Sequence, residues 1–189
     1  MNFNVTEQIK YIGVDDTTID LFESQYIVPN GISYNSYLIT DDKIAVMDTV
    51  DRRKSEDWWG NLETALEGRT PDYLIVQHME PDHSGSIGAF LAQYPDTTVV
   101  GSRAALQFIE QFGYQPAHTL MVKHGDTLDL GGLTLQFVAA PMVHWPETMV
   151  TWMDEENTVF SGDAFGTFAV VADDIVDAED TFVQYRDEM

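Results

Sequence analysis

The chain has 189 residues and a formal net charge of −23, because 32 Asp and Glu residues stand against only 9 Lys and Arg residues. This excess of negative charge argues against binding to nucleic acid or to an anionic membrane surface. The sequence contains no cysteine, which excludes disulfides, thiolate zinc sites, iron–sulfur clusters and a cysteine nucleophile. Any metal chemistry must therefore use imidazole and carboxylate side chains, and the sequence holds five histidines.

Short strands open the chain, and strands alternating with helices follow. The predicted strands, in chain order, are residues 26–28, 32–39, 43–47, 73–76, 97–100, 119–122, 133–139, 148–153 and 158–160. The predicted helices are residues 55–66, with Ser55 as the N-cap, 86–94 and 102–112. A meander, then strand–helix alternation, then a second meander indicates a mixed α/β sandwich.

The N-terminal part of the sequence bears on the location of the protein, and the C-terminal part bears on the extent of its domain. The N-terminus lacks the basic and apolar segments of a signal peptide, and no apolar run is long enough to span a membrane, so a cytoplasmic location is expected. Near the C-terminus, Asp177 is predicted to cap a helix whose Phe182, Tyr185 and Met189 share one face. Because the sequence stops inside this helix, we expect an incomplete domain.

The loop after the predicted strand 73–76 carries four side chains of the types that bind metals. They follow one another in the order His-x-Glu-x-Asp-His, as His78, Glu80, Asp82 and His83. His78 and Glu80 are two positions apart and are expected on one side of an extended segment, whereas a turn must direct Asp82 and His83 elsewhere. One short loop can thus supply ligands to two adjacent metal ions.

Two further candidate ligands follow later strands. His144 comes after the predicted strand 133–139, and Asp163 comes after the predicted strand 158–160, where Gly162 permits a close approach. A carboxylate at Asp163 is suited to bridge two cations, since its negative charge offsets their repulsion. Imidazole and carboxylate ligands without thiolate suit iron, zinc or manganese.

Other residues near these candidates leave two interpretations open. Asp48, at the end of a predicted strand, either steadies the loop that carries His78 to His83, called the metal loop below, or begins a turn. Trp145 either lines the site or packs in the interior. His118 and His124 have no carboxylate partner near them in sequence, so we expect them to be structural or exposed.

These residues resemble the diiron core of the flavodiiron proteins, which belong to the metallo-β-lactamase superfamily. The similarity runs from about Tyr11 to the end of the chain. Beside the ligand motif it includes the segments Asn35–Leu38, Met47–Val50, Ser84–Ser86, His144–Pro146 and Ser161–Asp163. The resemblance implies a metallo-β-lactamase-like αββα sandwich. Glu80 is the specific position, because hydrolases of the superfamily usually have His there, and a carboxylate suits a harder, oxygen-preferring iron pair.

The resemblance implies an oxidoreductase that reduces dioxygen to water, nitric oxide to nitrous oxide, or both. By correspondence with the family, one iron would be held by His78, Glu80 and His144, the other by Asp82 and His83, and the bridge would be Asp163. Zinc is the expected substitute metal. The family further implies a flavin mononucleotide on a separate domain, a rubredoxin-like or flavoprotein electron donor, and a head-to-tail homodimer.

The chain departs from the family pattern after Asp163. Family members carry one further His ligand downstream and then a flavodoxin-like domain that holds the flavin, and this sequence contains neither. Residues 1–189 are therefore predicted to be a partial metallo-β-lactamase-like diiron domain, incomplete at the C-terminus. Two alternatives stay open: a dinuclear zinc hydrolase acting on esters, thioesters or lactams, and an inactive truncated fragment.

Overall fold

In a computed structural model, which describes residues 3–166 and 168–170, the chain forms two large facing β-sheets with helices on one side, together with two small two-stranded sheets. The strands are β1 (Phe3–Asn4), β2 (Ile9–Tyr11), β3 (Val14–Asp16), β4 (Leu21–Phe22), β5 (Tyr26–Ile27), β6 (Ile32–Tyr34), β7 (Tyr37–Thr40), β8 (Ile44–Met47), β9 (Tyr73–Val76), β10 (Thr98–Gly101), β11 (His118–Met121), β12 (Thr127–Asp129), β13 (Thr134–Ala139), β14 (Met149–Met153) and β15 (Thr158–Phe160). The helices are α1 (Ser55–Leu66), α2 (Pro81–Ser84), α3 (Ile87–Gln93) and α4 (Arg103–Gln111).

The larger sheet has seven strands in the order β1-β2-β7-β8-β9-β10-β11. Its first four strands pair antiparallel, whereas β8 to β11 run parallel. The smaller sheet, β12-β13-β14-β15, is antiparallel throughout. Because the carboxyl ends of parallel strands share one edge, the loops after β8, β9 and β10 open on the same side, where α/β folds place their ligands.

The larger sheet separates two apolar layers, and its strands contribute alternate side chains to each. In β9, Leu74 and Val76 join the layer beneath the helices, whereas Ile75 joins the layer between the sheets. Trp58 of α1 is fully buried in the first layer, and Phe137 of β13 is buried in the second. The loop after β9 therefore starts from a strand that is buried on both faces.

The α/β sandwich predicted from the sequence is present, with one layer of helices and two layers of sheet. The outer face of the smaller sheet, where Gln136, Trp152 and Val159 lie in register, carries no helix in the part of the chain that the structure describes. The helix predicted from Asp177 lies outside the described residues. No helix within residues 3–166 and 168–170 is long and apolar enough to cross a membrane.

Two local predictions are wrong. Residues 32–39 form two strands, because β6 pairs with β3 whereas β7 pairs with β2 and β8 in the larger sheet, and residues 35–36 connect the two. In this connection the Ser36 hydroxyl donates to the carbonyl of Asp48 and accepts a hydrogen bond from the indole of Trp58. Ser55 is the first residue of α1, and Lys54 stands at the N-cap without a capping side-chain hydrogen bond.

Stability against thermal unfolding is expected to depend on salt concentration, because few of the carboxylates are paired with a Lys or Arg side chain. The described residues contain four ion pairs between Lys or Arg and a carboxylate, against a net charge of −23. Raising KCl from about 0.1 to 1 M shortens the screening length from about 10 to 3 Å, which relieves the repulsion. We expect thermal melts followed by circular dichroism at pH 7 to shift upward by at least about 4 °C.

The same salt series near pH 4 is the control, since the isoelectric point is about 4.1 and the repulsion vanishes there. The salt effect should shrink strongly at that pH. A melting temperature that is independent of KCl at pH 7 would show that charge repulsion does not limit the stability of this fold.

Candidate metal centre

The centre is built on the loop that leaves β9 at the shared edge of the parallel strands. His78 and Glu80 lie in the extended part of the loop, and Pro81 then begins the one-turn helix α2. Proline suits the first helical position, since its fixed backbone angle is already helical and its missing N–H would lack a helical partner anyway. This short helix is the turn that carries Asp82 and His83 away from the first pair.

The first group of candidate ligands consists of His78, Glu80, His144 and Asp163. Glu80 Oε2 lies 3.0 Å from His78 Nε2 and 2.7 Å from His144 Nε2. Asp163 Oδ2 lies 3.3 Å from His78 Nε2 and 3.4 Å from His144 Nε2. Two imidazoles and two carboxylates from three separate loops thus direct their ligand atoms into one small space.

The second group consists of Asp82, His83 and Asp163. Asp163 Oδ1 lies 2.6 Å from His83 Nε2, and Asp82 Oδ2 lies 3.6 Å from the same nitrogen. Asp163 therefore belongs to both groups, with one oxygen directed to each. Within each group the candidate ligand atoms lie within 4.8 Å of one another. All six candidate ligands named from the sequence come together in these two groups.

The donor set fits a pair of cations. Three imidazole nitrogens and three carboxylates are the ligands that iron, zinc and manganese accept, and two adjacent divalent ions would offset the negative charge of the carboxylates. Asp82 Oδ1 is buried and has no hydrogen-bond partner within the described part of the chain. A buried carboxylate oxygen without a donor is costly, and a bound cation would remove that cost.

In the metal-free protein, protonated imidazoles offset the negative charge of the carboxylates. Burial alone would lower the pKa of His78, but its hydrogen bonds to Glu147 and Glu80 outweigh burial and raise the pKa to about 9. Burial alone would raise the pKa of Glu80, but hydrogen bonds, chiefly from His78, lower it to about 2. The pair is therefore ionised at neutral pH, with the imidazole protonated.

In the second group, too, the pKa of the imidazole is raised and that of its carboxylate partner Asp163 is lowered. Burial would lower the pKa of His83, but the charges of Asp82 and Asp163 raise it well above its usual range. For Asp163, burial is outweighed by the charge and hydrogen bond of His83, which hold its pKa well below the ordinary value. Burial raises the pKa of Asp82 to about 6, so this carboxyl is mostly ionised at pH 7.

Metal binding is therefore expected to release protons. His78 and His83 carry a proton at pH 7 in the metal-free protein, and an imidazole must lose that proton to bind a metal. About two protons per chain should leave on loading, and each makes the apparent affinity fall about tenfold per pH unit as pH decreases. Calorimetric titration with zinc in two buffers of different ionisation enthalpy measures the number of protons released per chain. A value near zero would contradict this account of the metal-free centre.

Asp48 and Trp145, for which the sequence left two interpretations open, both contact histidines of the centre. Asp48 has a left-handed backbone (φ 51°); its Oδ1 accepts the N–H of Gln77 at 2.8 Å, and its Oδ2 lies 3.4 Å from His83 Nδ1. These contacts are those of a residue that steadies the metal loop. Trp145 packs edge-on against the His78 ring, with centroids 5.4 Å apart. His118 and His124 are exposed and belong to neither group.

Sequence reasoning missed two carboxylates at the centre. Glu147 is buried and accepts a hydrogen bond from His78. Glu23, in the turn between β4 and β5, has a pKa raised to about 7, chiefly by a hydrogen bond with Glu80 and partial burial. Both reach the loop through contacts distant in sequence, and neither is part of a motif with recognisable spacing.

Sequence comparison identifies the family. The family described as "ODP family beta lactamase" matches residues 32–189, so the chain belongs to that family. Diflavin flavoprotein A 1 of Synechocystis is 40% identical over 163 residues, which are 86% of this chain and 28% of that protein. The anaerobic nitric oxide reductase flavorubredoxin of Pectobacterium carotovorum is 38% identical over 169 residues, which are 88% of this chain and 34% of that protein.

Solved structures give the same result for the fold. Rubredoxin oxygen:oxidoreductase from Desulfovibrio gigas matches with a TM-score of 0.86 and 28% identity, over 91% of this chain and 43% of that chain. The flavodiiron protein from Giardia intestinalis matches with a TM-score of 0.85 and 26% identity, over 91% and 42%. The metallo-β-lactamase-like fold and the resemblance to flavodiiron proteins, both predicted from the sequence, are confirmed.

Four predictions remain as such. The chain spans about a third of the length of the curated relatives it matches, and the extent of its domain is not tested by that match. The assignment of the six candidate ligands to two metal ions stays a prediction, which the geometry above supports. The cytoplasmic location and the homodimer also stay predictions.

Proposed function

We propose that this chain holds two iron ions and forms the reducing centre of a flavodiiron-type oxidoreductase. Its substrates in this proposal are dioxygen, reduced to water, and nitric oxide, reduced to nitrous oxide. The observation that carries the proposal is the placement of Asp163, whose two oxygens are directed to two separate groups of ligand atoms. The names of a nitric oxide reductase and an oxygen oxidoreductase among the relatives support the two substrates.

Each candidate ligand has one role in this proposal. The first iron is assigned to His78, Glu80 and His144, the second to Asp82 and His83, and the bridge to Asp163. When bound, the two ferrous ions supply electrons to the diatomic substrate, and a flavin mononucleotide supplies the further pair that dioxygen requires. We assign none of the described residues to the flavin. Zinc is the metal expected to occupy the same ligands when iron is scarce.

The centre is exposed to solvent on the side of His144. The His144 side chain is 56% exposed, whereas that of His78 is only 1% exposed, so a small molecule reaches the centre past His144. The neighbouring Met142, Val143 and Phe165 are apolar and exposed. An apolar rim beside an exposed ligand is suited to contact a second protein surface. This agrees with a head-to-tail homodimer and with a rubredoxin-like or flavoprotein donor.

A single-turnover reaction with nitric oxide tests the proposal without a flavin. Two nitric oxide molecules, two electrons and two protons give one nitrous oxide and one water, and two ferrous ions supply both electrons. The chain, loaded with ferrous iron under anaerobic conditions, is mixed with nitric oxide, and the headspace is analysed for nitrous oxide by gas chromatography. We expect close to one nitrous oxide for each pair of ferrous ions oxidised.

Zinc-loaded protein is the control, because zinc has no electrons to give, and it should form no nitrous oxide. Iron-loaded protein that forms none would contradict the function proposed for this chain, while leaving its metal binding intact. Hydrolysis of a thioester by the zinc-loaded chain, with no reduction by the iron-loaded chain, would establish a hydrolase instead.

A further inference from the structure

Glu147 contacts the metal loop from the side opposite the ligand atoms. It lies in the connection between β13 and β14, three residues after His144, and its side chain is completely buried. Its Oε1 accepts two hydrogen bonds, one from His78 Nδ1 and one from the backbone N–H of Met79, each 2.8 Å long. One carboxylate oxygen thus holds two consecutive residues of the loop.

The backbone that carries Glu147 is itself held in place. Its carbonyl oxygen accepts a hydrogen bond from the Ser102 hydroxyl at 2.9 Å, at the start of α4. Two residues later, the N–H of Met149 donates to the carbonyl of Gln77 at 3.1 Å, which ties β14 to the end of β9. The carboxylate is therefore presented to His78 from elements of the rigid sandwich.

The contact determines which nitrogen of His78 can bind a metal. A carboxylate that accepts from Nδ1 keeps a proton on that nitrogen and leaves Nε2 as the ligand atom. Nε2 is the atom that faces the candidate ligands, 3.0 Å from Glu80 Oε2 and 3.3 Å from Asp163 Oδ2. We propose that Glu147 is a positioning residue, which orients His78 and fixes its Nε2 toward the metal. The inference rests on the metal centre proposed above.

Neither of the other two imidazoles contacts Glu147. His83 Nδ1 faces Asp48 Oδ2 at 3.4 Å, whereas His78 Nδ1 lies 2.8 Å from Glu147 Oε1. His144 is exposed, and its Nδ1 makes no hydrogen bond to any described residue. Glu147 should therefore act on the metal position that includes His78 and leave the other position nearly unchanged.

Zinc titration of the metal-free chain against a chromophoric chelator tests this selectivity. In Glu147→Ala we expect the affinity of one of the two zinc ions to fall by roughly 10–100-fold, the range typical of lost hydrogen-bond partners of metal-binding histidines. In Glu147→Gln the loss should be smaller, because the amide oxygen can still accept both N–H groups. Glu110, exposed on α4, supplies the matched controls Glu110→Ala and Glu110→Gln, which should stay within about twofold of the parent.

A second readout does not depend on affinity. In the zinc-loaded protein, proton NMR should show a slowly exchanging His78 Nδ1–H resonance with a nuclear Overhauser contact to the Met79 amide. That resonance should persist in Glu147→Gln and be lost through exchange with water in Glu147→Ala.

The outcomes distinguish a failure of the positioning role of Glu147 from a failure of the metal centre. Equal zinc affinities in the parent and both Glu147 variants, with the resonance retained, would overturn the positioning role while leaving the metal centre intact. An equal loss at both zinc positions in Glu147→Gln would also overturn it, since a general distortion would then be the cause. A parent chain that binds no zinc and no iron would overturn the metal centre, and the inference with it.

Discussion

Replacing Asp163 by Asn is expected to weaken the binding of both metal ions. Its Oδ1 lies 2.6 Å from His83 Nε2 and its Oδ2 lies 3.3 Å from His78 Nε2, so a single side chain serves both groups of ligands. The amide keeps the shape but loses the charge that offsets the repulsion between two cations. We expect metal content to fall from near two per chain to below one. The affinity should fall by more than about 100-fold, since the loss of hydrogen-bond partners alone costs roughly 10–100-fold.

Asp154→Asn is the matched control, because Asp154 is an exposed Asp in the turn before β15 and contacts neither group of ligands. It should keep the parent's metal content, and circular dichroism should show that both variants are folded. If Asp163→Asn retains two metal ions with the parent's affinity, Asp163 does not bridge the centre.

Removal of both metal ions is expected to lower the melting temperature by roughly 16–32 °C, compared with protein in metal at about 1,000 times the dissociation constant of each site. Each bound ion at that concentration stabilises the folded state by about 4 kcal/mol, which is about 8 kcal/mol for the pair, and a domain of this size shifts by about 2–4 °C for each kcal/mol. The ligands come from the loop after β9, the loop before β14 and the segment after β15, so the site exists only when the sandwich is folded. Differential scanning calorimetry with and without a chelator measures the shift.

Asp163→Asn provides the internal control for this experiment, since added metal should hardly change its melting temperature. Identical melting temperatures for the loaded and the chelated parent would show that the metal ions do not bind at the folded centre.

Much of the fold could be predicted because the sequence signals are local. The helix predicted at residues 55–66 and the strands predicted at 73–76 and 158–160 have the bounds seen in the structure. Their apolar residues repeat with the period of the element and are bounded by polar or turn-forming residues. The prediction failed at residues 32–39, where an uninterrupted strand pattern hides the break between β6 and β7. The hydrogen bonds of Ser36 in this break go to Asp48 and Trp58, which are distant in sequence.

The candidate ligands could be named for a related reason. Four of the six lie in one loop, and His144 and Asp163 follow strands whose ends meet at the same edge of the sandwich. Glu147 could not be found in this way, because its role depends on a hydrogen bond across 69 positions to His78. Nothing in the local sequence distinguishes it from the many surface carboxylates of an acidic chain.

The central claim is a pair of iron ions at this centre, and elemental analysis tests it most directly. The chain is expressed in iron-replete medium, purified without oxygen and analysed for iron, zinc and manganese per chain. Our account predicts close to two iron ions per chain in the parent and fewer than one in Asp163→Asn. Stoichiometric zinc despite abundant iron, or a parent chain that holds no metal, would contradict it.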